Sequence, residues 1–416
     1  MLALLAFSAC AIWNSIKPLP PGTHVTSLPA RLAESQIDFI DELSRPGALL
    51  RRQLDFVARA EQTLVLDQCP LAPALSDALL LRKRQRPNIK ILIVTDPRPE
   101  LYGGTAARTL STLERAGVVV ARTRLERMRD SDPLYSSWWR LAVGWWSDAF
   151  DEPAGEDSLT GRLRRHNFKA NERRLIVADD GAGGWTSLVM SAAAGIDIRG
   201  HLARDIVASE LRIATWSTDD DRLPAAPPVD DRGVGAIDAR FVTEGAIQGV
   251  LRDAIGVAGN GDSIKIAVQA FDERQIVSAV ARAAERGAHV QLLLDPELAP
   301  NQAAAGELRA AAAGNVDVRW RGHDAHGAAG YAVIQHRGDV WIVMGSASFT
   351  RRGLDDLNLD ADIELHMPVR AGPARGALEL FDRQWSGGAV YAAHADESPG
   401  TYWRYRLADA TGSGMF

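Results

Sequence analysis

The sequence predicts an α/β protein built from two similar lobes that pack into one unit. First, 416 residues are too many for one ordinary hydrophobic core. Second, the pattern helix, strand, helix, strand ending in Asp-Pro occurs twice, at 49–97 and at 244–296. Third, each copy is followed by another apolar strand and a serine turn. Because strands that alternate with helices favour parallel pairing, each lobe should be a mixed or parallel sheet flanked by helices.

The spacing between the paired strands is nearly the same in the two copies. Apolar residues recur at the period expected of each helix or strand. In the first copy the helices are predicted at 49–62 and about 75–85, and the strands at 63–67 and 89–97. In the second the helices are predicted at 244–258 and 274–287, and the strands at 263–271 and 289–296.

A serine turn follows the third strand of each copy. The stretch 340–365 reads as a buried strand, a Gly-Ser turn at Ser346, a helix start and another strand, and residues 172–197 carry a comparable turn at Ser191. Turns of this kind after an apolar strand often hold a phosphate group.

The chain is therefore divided into two lobes with flanking segments. The boundaries are a signal-like segment and extended tether at 1–22, a first lobe at 23–216 with an insertion at 102–165, an Asp-, Pro- and Gly-rich linker at 217–235, a second lobe at 236–390, and a tail at 391–416.

The insertion contains paired tryptophans, with Trp138 and Trp145 seven residues apart, as are Trp139 and Trp146. Seven residues is close to two helical turns, so the pairs share one helix face. Two interpretations stay open: the helix covers the sheet, or it forms a lip that enters a membrane interface, the depth that Trp favours.

The N-terminus is strongly apolar and contains Cys10. The run is shorter than the roughly 20 residues that a membrane-spanning helix needs, and it suits a secretion signal. "FSAC" resembles a bacterial lipoprotein signal, which predicts lipidation at Cys10, although no basic residue precedes it. An uncleaved signal and a buried N-terminal segment are the alternatives. Two cysteines are too few for a disulfide framework.

The segments at 167–181 and 345–365 resemble the phospholipase D superfamily, and the resemblance extends over about residues 23–390. It is closest to bacterial phospholipase-D-like proteins with a lipoprotein-type N-terminus. Members of this family carry H-x-K-x4-D and then Gly-Ser-x-Asn in each half. The resemblance implies that one His attacks phosphorus, the other protonates the leaving alcohol, and Lys, Ser and Asn stabilise the oxygens, without metal or cofactor.

This sequence departs from that pattern in both halves. In the first half the His, Lys and Asp positions fall on Glu172, Arg174 and Asp179, and the turn supplies Ser191 with Ala193 at the Asn position. In the second half the His and Lys positions fall on Ala328 and Gly330, and the turn supplies Ser346 with Ser348 at the Asn position. These assignments are read from the alignment of the two strands.

No shifted alignment restores the motif. None of the nine histidines is followed two positions later by Lys or Arg, and no Lys occurs after Lys265. The motif residues must lie two apart to share one face of a strand.

Two hypotheses follow for function. In the first, the protein is catalytically degenerate and binds phospholipid headgroups, other phosphodiesters or a partner, such as an active relative, at the bacterial cell envelope. Glu172 then pairs with Arg174, and a phosphate is held by Arg174, Ser191, Ser346 and Ser348. In the second, it is an active phosphodiesterase or a cardiolipin-synthase-like phosphatidyltransferase in which Glu172 attacks and His323 or His326 donates the proton.

Other ligands are not expected. The net charge of −6 argues against a nucleic-acid partner. His323 and His326 have no evident third ligand, so no metal site is predicted. Arg351 and Arg352 are expected to pair with Asp355, Asp356 or Glu364.

Overall fold

Two sheets with the same strand order form the frame of the protein. The computed structural model describes residues 2–97, 104–138, 140–141, 169–181, 183–200, 202–226, 233–296, 298–312, 314–321 and 330–387. The first sheet has the order β2-β8-β7-β6-β3-β4-β5, and the second has β9-β15-β14-β13-β10-β11-β12 with β1 added beside β9. The predicted pair of α/β lobes is confirmed.

The bounds of the elements are close to those predicted from the repeat. The strands are β1 Ala30–Leu32, β2 Ile37–Asp41, β3 Thr63–Asp67, β4 Lys90–Thr95, β5 Val119–Arg122, β6 Leu175–Asp179, β7 Trp185–Met190, β8 Ala194–Arg199, β9 Ile237–Thr243, β10 Ser263–Ala267, β11 His289–Leu294, β12 Val316–Trp320, β13 Tyr331–His336, β14 Asp339–Gly345 and β15 Ala361–Pro368. The helices are α1 Leu2–Ile16, α2 Ala48–Arg59, α3 Pro73–Gln85, α4 Gly104–Arg115, α5 Pro133–Trp138, α6 Leu202–Ser217, α7 Gly245–Gly256, α8 Arg274–Glu285, α9 Ala299–Ala312, α10 Arg351–Leu354 and α11 Gly372–Gly387.

Both sheets are mixed, because only the strands joined by helices are parallel. In the first lobe Leu64 of β3 lies opposite Ile91 of β4 in parallel register, and opposite Ala178 of β6 in antiparallel register. The second lobe repeats this arrangement with β11 parallel and β13 antiparallel to β10. The strands that lead into the serine turns are thus central in their sheets and buried on both faces.

The first part of the predicted insertion belongs to the lobe itself. Residues 104–122 form α4 and the edge strand β5, which pairs in parallel with β4. They correspond to α9 and β12 of the second lobe. The boundary at residue 102 was therefore placed too early, because a second strand–helix–strand crossover follows the Asp-Pro in each copy.

The inner faces of the two sheets share one apolar core. Val177 and Ile196 of the first lobe and Met344 and Ile363 of the second belong to the same buried cluster. Helices α6 and α11 contribute their apolar faces to this cluster, while α2, α3, α7 and α8 cover the outer faces. The burial joins the lobes into one body and fixes the two serine turns relative to each other.

The chain crosses between the lobes near its start. Strand β1 pairs with β9, placing Ala30 opposite Ala239, and Thr26 forms a bridge with Val242. Residues 23–32, which the sequence assigned to the first lobe, therefore complete the sheet of the second.

The predicted tether is packed against the protein at its C-terminal end. The indole N–H of Trp216 donates to the carbonyl oxygen of Pro21 at 2.9 Å, and the hydroxyl of Ser209 donates to that of Gly22 at 2.6 Å. Gly22 has φ +91°, and a Cβ there would lie 2.6 Å from the carbonyl oxygen of Ser209, so only glycine fits.

Helix α1 lies against α5 and the loop before it. The amide of Asp130 donates to the carbonyl oxygen of Asn14, and the Lys17 ammonium donates to that of Glu126 at 2.6 Å. Cys10 is half-buried on this helix, and its thiol is free. None of the described helices is long and apolar enough to span a membrane. Trp139, Trp145 and Trp146 lie outside the described residues, as do the last part of the predicted insertion, 142–165, and the tail 391–416.

Candidate functional site

A small cavity lies where the two lobes meet. Its volume is about 210 Å³, below the roughly 300–1,000 Å³ of pockets for drug-sized ligands, so it admits a headgroup-sized fragment. It is lined by Glu172, Arg174, Ser191, Ala192, Gln269, Gly330, Gly345, Ser346, Ala347, Ser348, Asn358 and Asp360. The structure thus brings together every described residue predicted to bind phosphate.

The segment before β6 alternates between the cavity and the core. Glu172 and Arg174 line the cavity, whereas Asn171 and Arg173 are buried, as expected when successive residues of an extended chain point to opposite sides. The segment is held by the second lobe, since the amide of Glu172 donates to the carbonyl oxygen of Leu359 at 2.8 Å. The cavity therefore depends on contacts from both lobes.

Arg173 anchors this segment from behind. Its fully buried guanidinium donates to Glu210 at 2.6 Å and to Glu244 at 2.7 Å, and it also reaches the carbonyl oxygen of Gly22. Burial alone lowers its pKa, but the two glutamates outweigh burial and raise the pKa above its ordinary value. One side chain thereby joins β6, α6, the end of β9 and the N-terminal segment.

The hydroxyls of the two predicted serines serve their own turns. Ser191 Oγ accepts from the amides of Ala193 and Ala194 and donates to the Ala194 carbonyl oxygen. Ser346 Oγ accepts from the Ala361 amide at 3.0 Å and donates to Asp360 Oδ1 at 2.9 Å. These bonds fix the shape of the cavity, and they occupy hydroxyls that sequence reasoning assigned to the phosphate.

Sequence reasoning missed Asn358 and Asp360, which line the cavity just before β15. The Oδ1 atom of Asn358 accepts from the amide of Ala170 at 3.0 Å, which leaves its NH₂ group as a donor. The only available signal was their polarity in "LNLDADIEL", immediately before a buried strand. Their position beside Ser346 follows from the fold.

Two carboxyl groups near the start of β15 are buried: Asp360, which precedes the strand, and Asp362, which lies in it. Burial, and then the nearby Glu172, raise the pKa of Asp360 well above its ordinary value. Burial likewise raises the pKa of Asp362 to about 7, although Asp362 Oδ1 accepts from the Ala347 amide at 3.1 Å. Both carboxyl groups therefore keep a proton to higher pH than an exposed aspartate does.

Gly330 lies close to the backbone of the second serine turn. A Cβ there would lie 3.0 Å from the carbonyl oxygens of both Gly345 and Ala347. Because that spacing is tighter than ordinary contacts, a lysine at this position would require the second serine turn to shift. Ala328, His323 and His326 lie outside the described residues.

Asp179 has a structural position at the far end of β6. It accepts hydrogen bonds from the amides of Gln62 and Thr63 at 2.9 and 2.6 Å, and so ties the start of β3 to β6. It does not line the cavity.

Arg351 and Arg352 follow the second turn, and two of their predicted partners, Asp356 and Glu364, pair with other residues. Arg351 donates to the carbonyl oxygen of Ser131 at 2.5 Å. Asp356 instead pairs with His24 and Arg129. Glu364 pairs with Arg240, because these residues lie side by side on β15 and β9.

No group of His, Cys, Asp and Glu side chains among the described residues has an arrangement that could hold a metal ion. The predicted absence of a metal remains a prediction for the segment that contains His323 and His326.

Known proteins resemble this chain in part of its sequence and in its fold. The family described as "Cardiolipin synthase, PLD-like domain" matches residues 251–385. The phosphatidylserine synthase of Haemophilus influenzae Rd KW20 has a similar structure, with a TM-score of 0.58 at 12% identity over 99% of this chain and 98% of that one. A phospholipase D family member, Nuc from Salmonella typhimurium, aligns with a TM-score of 0.32 at 18% identity over 37% of this chain and 98% of that one. No curated protein matches the sequence significantly.

The fold and the cavity define a two-lobed α/β protein with its candidate site between paired serine turns. The family model matches within the second lobe, at residues 251–385, and the fold of the whole chain is similar to that of the phosphatidylserine synthase.

Proposed function

We propose that the protein binds a phospholipid headgroup, or another phosphodiester of that size, without cleaving it. The observation that carries the proposal is the lining of the cavity, which keeps Arg174 but holds Glu172 and Gly330 at two positions where the family has His and Lys. Among the described lining residues none is His or Lys.

Arg174 is the group best suited to hold a phosphate. A guanidinium can donate two parallel hydrogen bonds to phosphate oxygens, and such charge-assisted bonds are roughly twice as strong as neutral ones. Asn358 and Gln269 line the same cavity, and the NH₂ groups of their side chains can add neutral donors. The supporting serines act by shaping the turns.

The proposed place of action is the bacterial cell envelope, with Cys10 as a lipid anchor. Large apolar side chains are exposed on neighbouring surfaces of α1 and α5, including Trp13 at 60% and Trp138 at 45%. Interfacial tryptophans next to a lipidated cysteine would hold the protein at a membrane surface. A phospholipid or membrane surface is accordingly the proposed partner, and an active relative is a further one.

Cys10→Ser is expected to move the protein from the membrane fraction to the soluble fraction of its native host. Acylation adds about 0.8 kcal/mol of membrane affinity per buried CH₂, so a variant without the lipid should bind the membrane less tightly. In the native protein, Cys10 should be the first residue and should carry the lipid. Mass spectrometry of the membrane fraction reads this directly, and an intact Met1 there would rule out lipidation.

Arg174→Ala is expected to weaken phosphodiester binding at least tenfold, since a hydrogen bond to a charged group contributes about 1.5–3 kcal/mol. Binding is measured by calorimetry with soluble glycerophosphodiesters and by sedimentation with phospholipid vesicles. Arg59→Ala, which removes an exposed arginine of α2, should bind as the native protein does.

A turnover assay with a chromogenic phosphodiester tests whether the site cleaves its ligand. The protein is expected to release no product above the buffer rate. Product release that disappears in Arg174→Ala would show that the site still cleaves and would overturn the binding-only proposal.

A second candidate function is favoured by Asp360. A carboxyl group with a raised pKa can donate a proton, and Glu172 lines the same cavity as a possible nucleophile. Under this candidate, Glu172 attacks phosphorus to form an acyl phosphate, the leaving alkoxide takes the Asp360 proton, and water then hydrolyses the intermediate. Turnover lost in both Glu172→Gln and Asp360→Asn would support this candidate.

A further inference from the structure

Three buried carboxyl groups surround Arg173 behind the cavity. Asp67 at the end of β3, Glu210 on α6 and Glu244 after β9 are each at most 1% exposed. The Arg173 guanidinium donates to Glu210 at 2.6 Å and to Glu244 at 2.7 Å. If all three carboxyl groups were ionised, three negative charges would face this one guanidinium away from water, an arrangement that burial makes costly.

The second oxygen of Glu210 has Asp67 beside it. Glu210 Oε1 accepts from Arg173, whereas the buried Oε2 has no hydrogen-bond partner within the described part of the chain. The carboxyl group of Asp67 lies within hydrogen-bonding reach of Glu210. Two carboxylates cannot donate to each other, but a proton on one of them makes it a donor to the other. One proton between the two groups therefore supplies the donor that Oε2 lacks.

The surroundings of the pair favour the same proton. Burial, and then the charge of Glu210, raise the pKa of Asp67 well above its ordinary value, although the Arg173 guanidinium acts in the opposite direction. Stabilisation by a group whose pKa is raised in the folded state is fully present below the ordinary pKa and is lost as the pH rises through the raised value. Among the described residues, the charged and titratable groups packed around the pair are Arg173, Glu244, Asp96 after β4 and the thiol of Cys69 after β3.

Asp67 and Glu210 hold two segments that come from other parts of the chain. Both oxygens of Asp67 accept from the side-chain NH₂ group of Asn171, at 2.8 and 3.0 Å, and the next residue lines the cavity. Through Arg173, Glu210 also joins the N-terminal segment, because this guanidinium donates to the carbonyl oxygen of Gly22. Two ionised carboxylates in contact would push β3 and α6 apart at the place where both segments are held.

We propose that Asp67 and Glu210 share one proton that holds residues 22–27 and 169–174 against the protein, and that its loss at alkaline pH loosens both segments. The step is a simple ionisation, in which the O–H bond breaks, its electron pair stays on the carboxylate and the proton goes to water. Because the second segment lines the cavity, the proton also fixes the position of the candidate site. The switch operates without a ligand and does not depend on the proposed function.

Hydrogen exchange measured by mass spectrometry tests the inference on the full chain, with no ligand added. Exchange is compared at about pH 5 and about pH 9, and each rate is divided by the intrinsic rate of the peptide at that pH. In the native protein, protection of residues 22–27 and 169–174 is expected to fall about tenfold or more between the two pH values. Residues 289–294, which form β11 in the second lobe, should keep their protection, which separates local loosening from global unfolding.

Asp67→Asn distinguishes the shared proton from other titrations. The amide supplies a permanent NH₂ donor to Glu210 while its oxygen still accepts from Asn171, so protection of both segments at about pH 9 should stay within about threefold of that at about pH 5. Asp77→Asn, at an exposed position of α3, should show the native fall. Lys17, whose pKa burial lowers to about 8, titrates in the same range just before the N-terminal segment. A fall that persists in Asp67→Asn would therefore belong to another group, such as Lys17, and would overturn the proposal.

Glu210→Gln tests the same proton from the other side of the pair. Its oxygen can still accept from Arg173 and its NH₂ group can donate to Asp67, so this variant should also abolish the fall in protection. Thermal unfolding at about pH 5 shows whether each variant is folded, and Glu210→Gln decides the test if Asp67→Asn is not. Native protection that does not change between the two pH values, or an equal fall in the native protein and the folded variants, would overturn the shared proton.

Discussion

Replacing Arg173 by methionine is expected to lower the free energy of unfolding by about 3–5 kcal/mol, the cost of removing one partner from a buried ion pair. The guanidinium is fully buried and hydrogen-bonded to Glu210 and Glu244, which are also fully buried. Without it, the two carboxyl groups remain in the core and lose the cation that pairs with both. Urea unfolding followed by circular dichroism measures the change.

The neighbouring residue provides a matched control for this prediction. Arg174→Met removes the same guanidinium one position along the chain, but from the partly exposed side that faces the cavity, and should change stability by less than about 1 kcal/mol. Adding Glu244→Gln to Arg173→Met should restore part of the loss, because one uncompensated charge is removed. Equal losses in Arg173→Met and Arg174→Met would contradict the proposed role of Arg173.

Asp362→Asn is expected to make the protein less sensitive to alkaline pH. Burial raises the pKa of Asp362 to about 7, so the folded state holds a proton that the unfolded state, with a pKa near 3.8, releases. This contribution is fully present below about pH 4 and is lost as the pH rises to about 7. The difference amounts to at most about 4 kcal/mol, at about 1.4 kcal/mol per pH unit.

Thermal unfolding between pH 4 and pH 8 tests the sign as well as the size. The Asn variant should gain stability relative to the native protein as the pH rises, and Asp55→Asn, at an exposed position of α2, should show no such trend. Some dependence should remain in Asp362→Asn, because burial also raises the pKa of Glu273 to about 7. A native protein that grows more stable from pH 4 to pH 7, with no change in the variant, would refute the assignment.

Much of the fold could be predicted from the repeat in the sequence. The strand 63–67 was placed at its observed bounds, and Ser191 and Ser346 were assigned to turns that line the same cavity. These predictions succeed because apolar periodicity and turn residues act locally. The absence of H-x-K could also be read from the sequence, since it depends only on which residue types stand two apart.

The rest depends on contacts between distant residues. Two adjacent arginines lie in different surroundings, because alternation along the extended segment places Arg174 in the cavity and Arg173 in the core. The partners of Arg173, Glu210 and Glu244, are brought to it only by the fold. Nor does any local pattern indicate that the Ser346 hydroxyl donates to Asp360. Partners of this kind are set by the packing of two lobes, which local patterns do not encode.

The pairing of β1 with β9 has a consequence for how the protein is made. Ala30 must wait for Ala239 to be synthesised before its sheet can close, so the earliest strand of the chain finds its partner only after the whole first lobe and the linker have emerged. Such long sequence separations slow folding and leave an edge strand open in the meantime. A gene divided at the linker would therefore yield one fragment with an orphan strand and another with an uncovered sheet edge, rather than two independent domains.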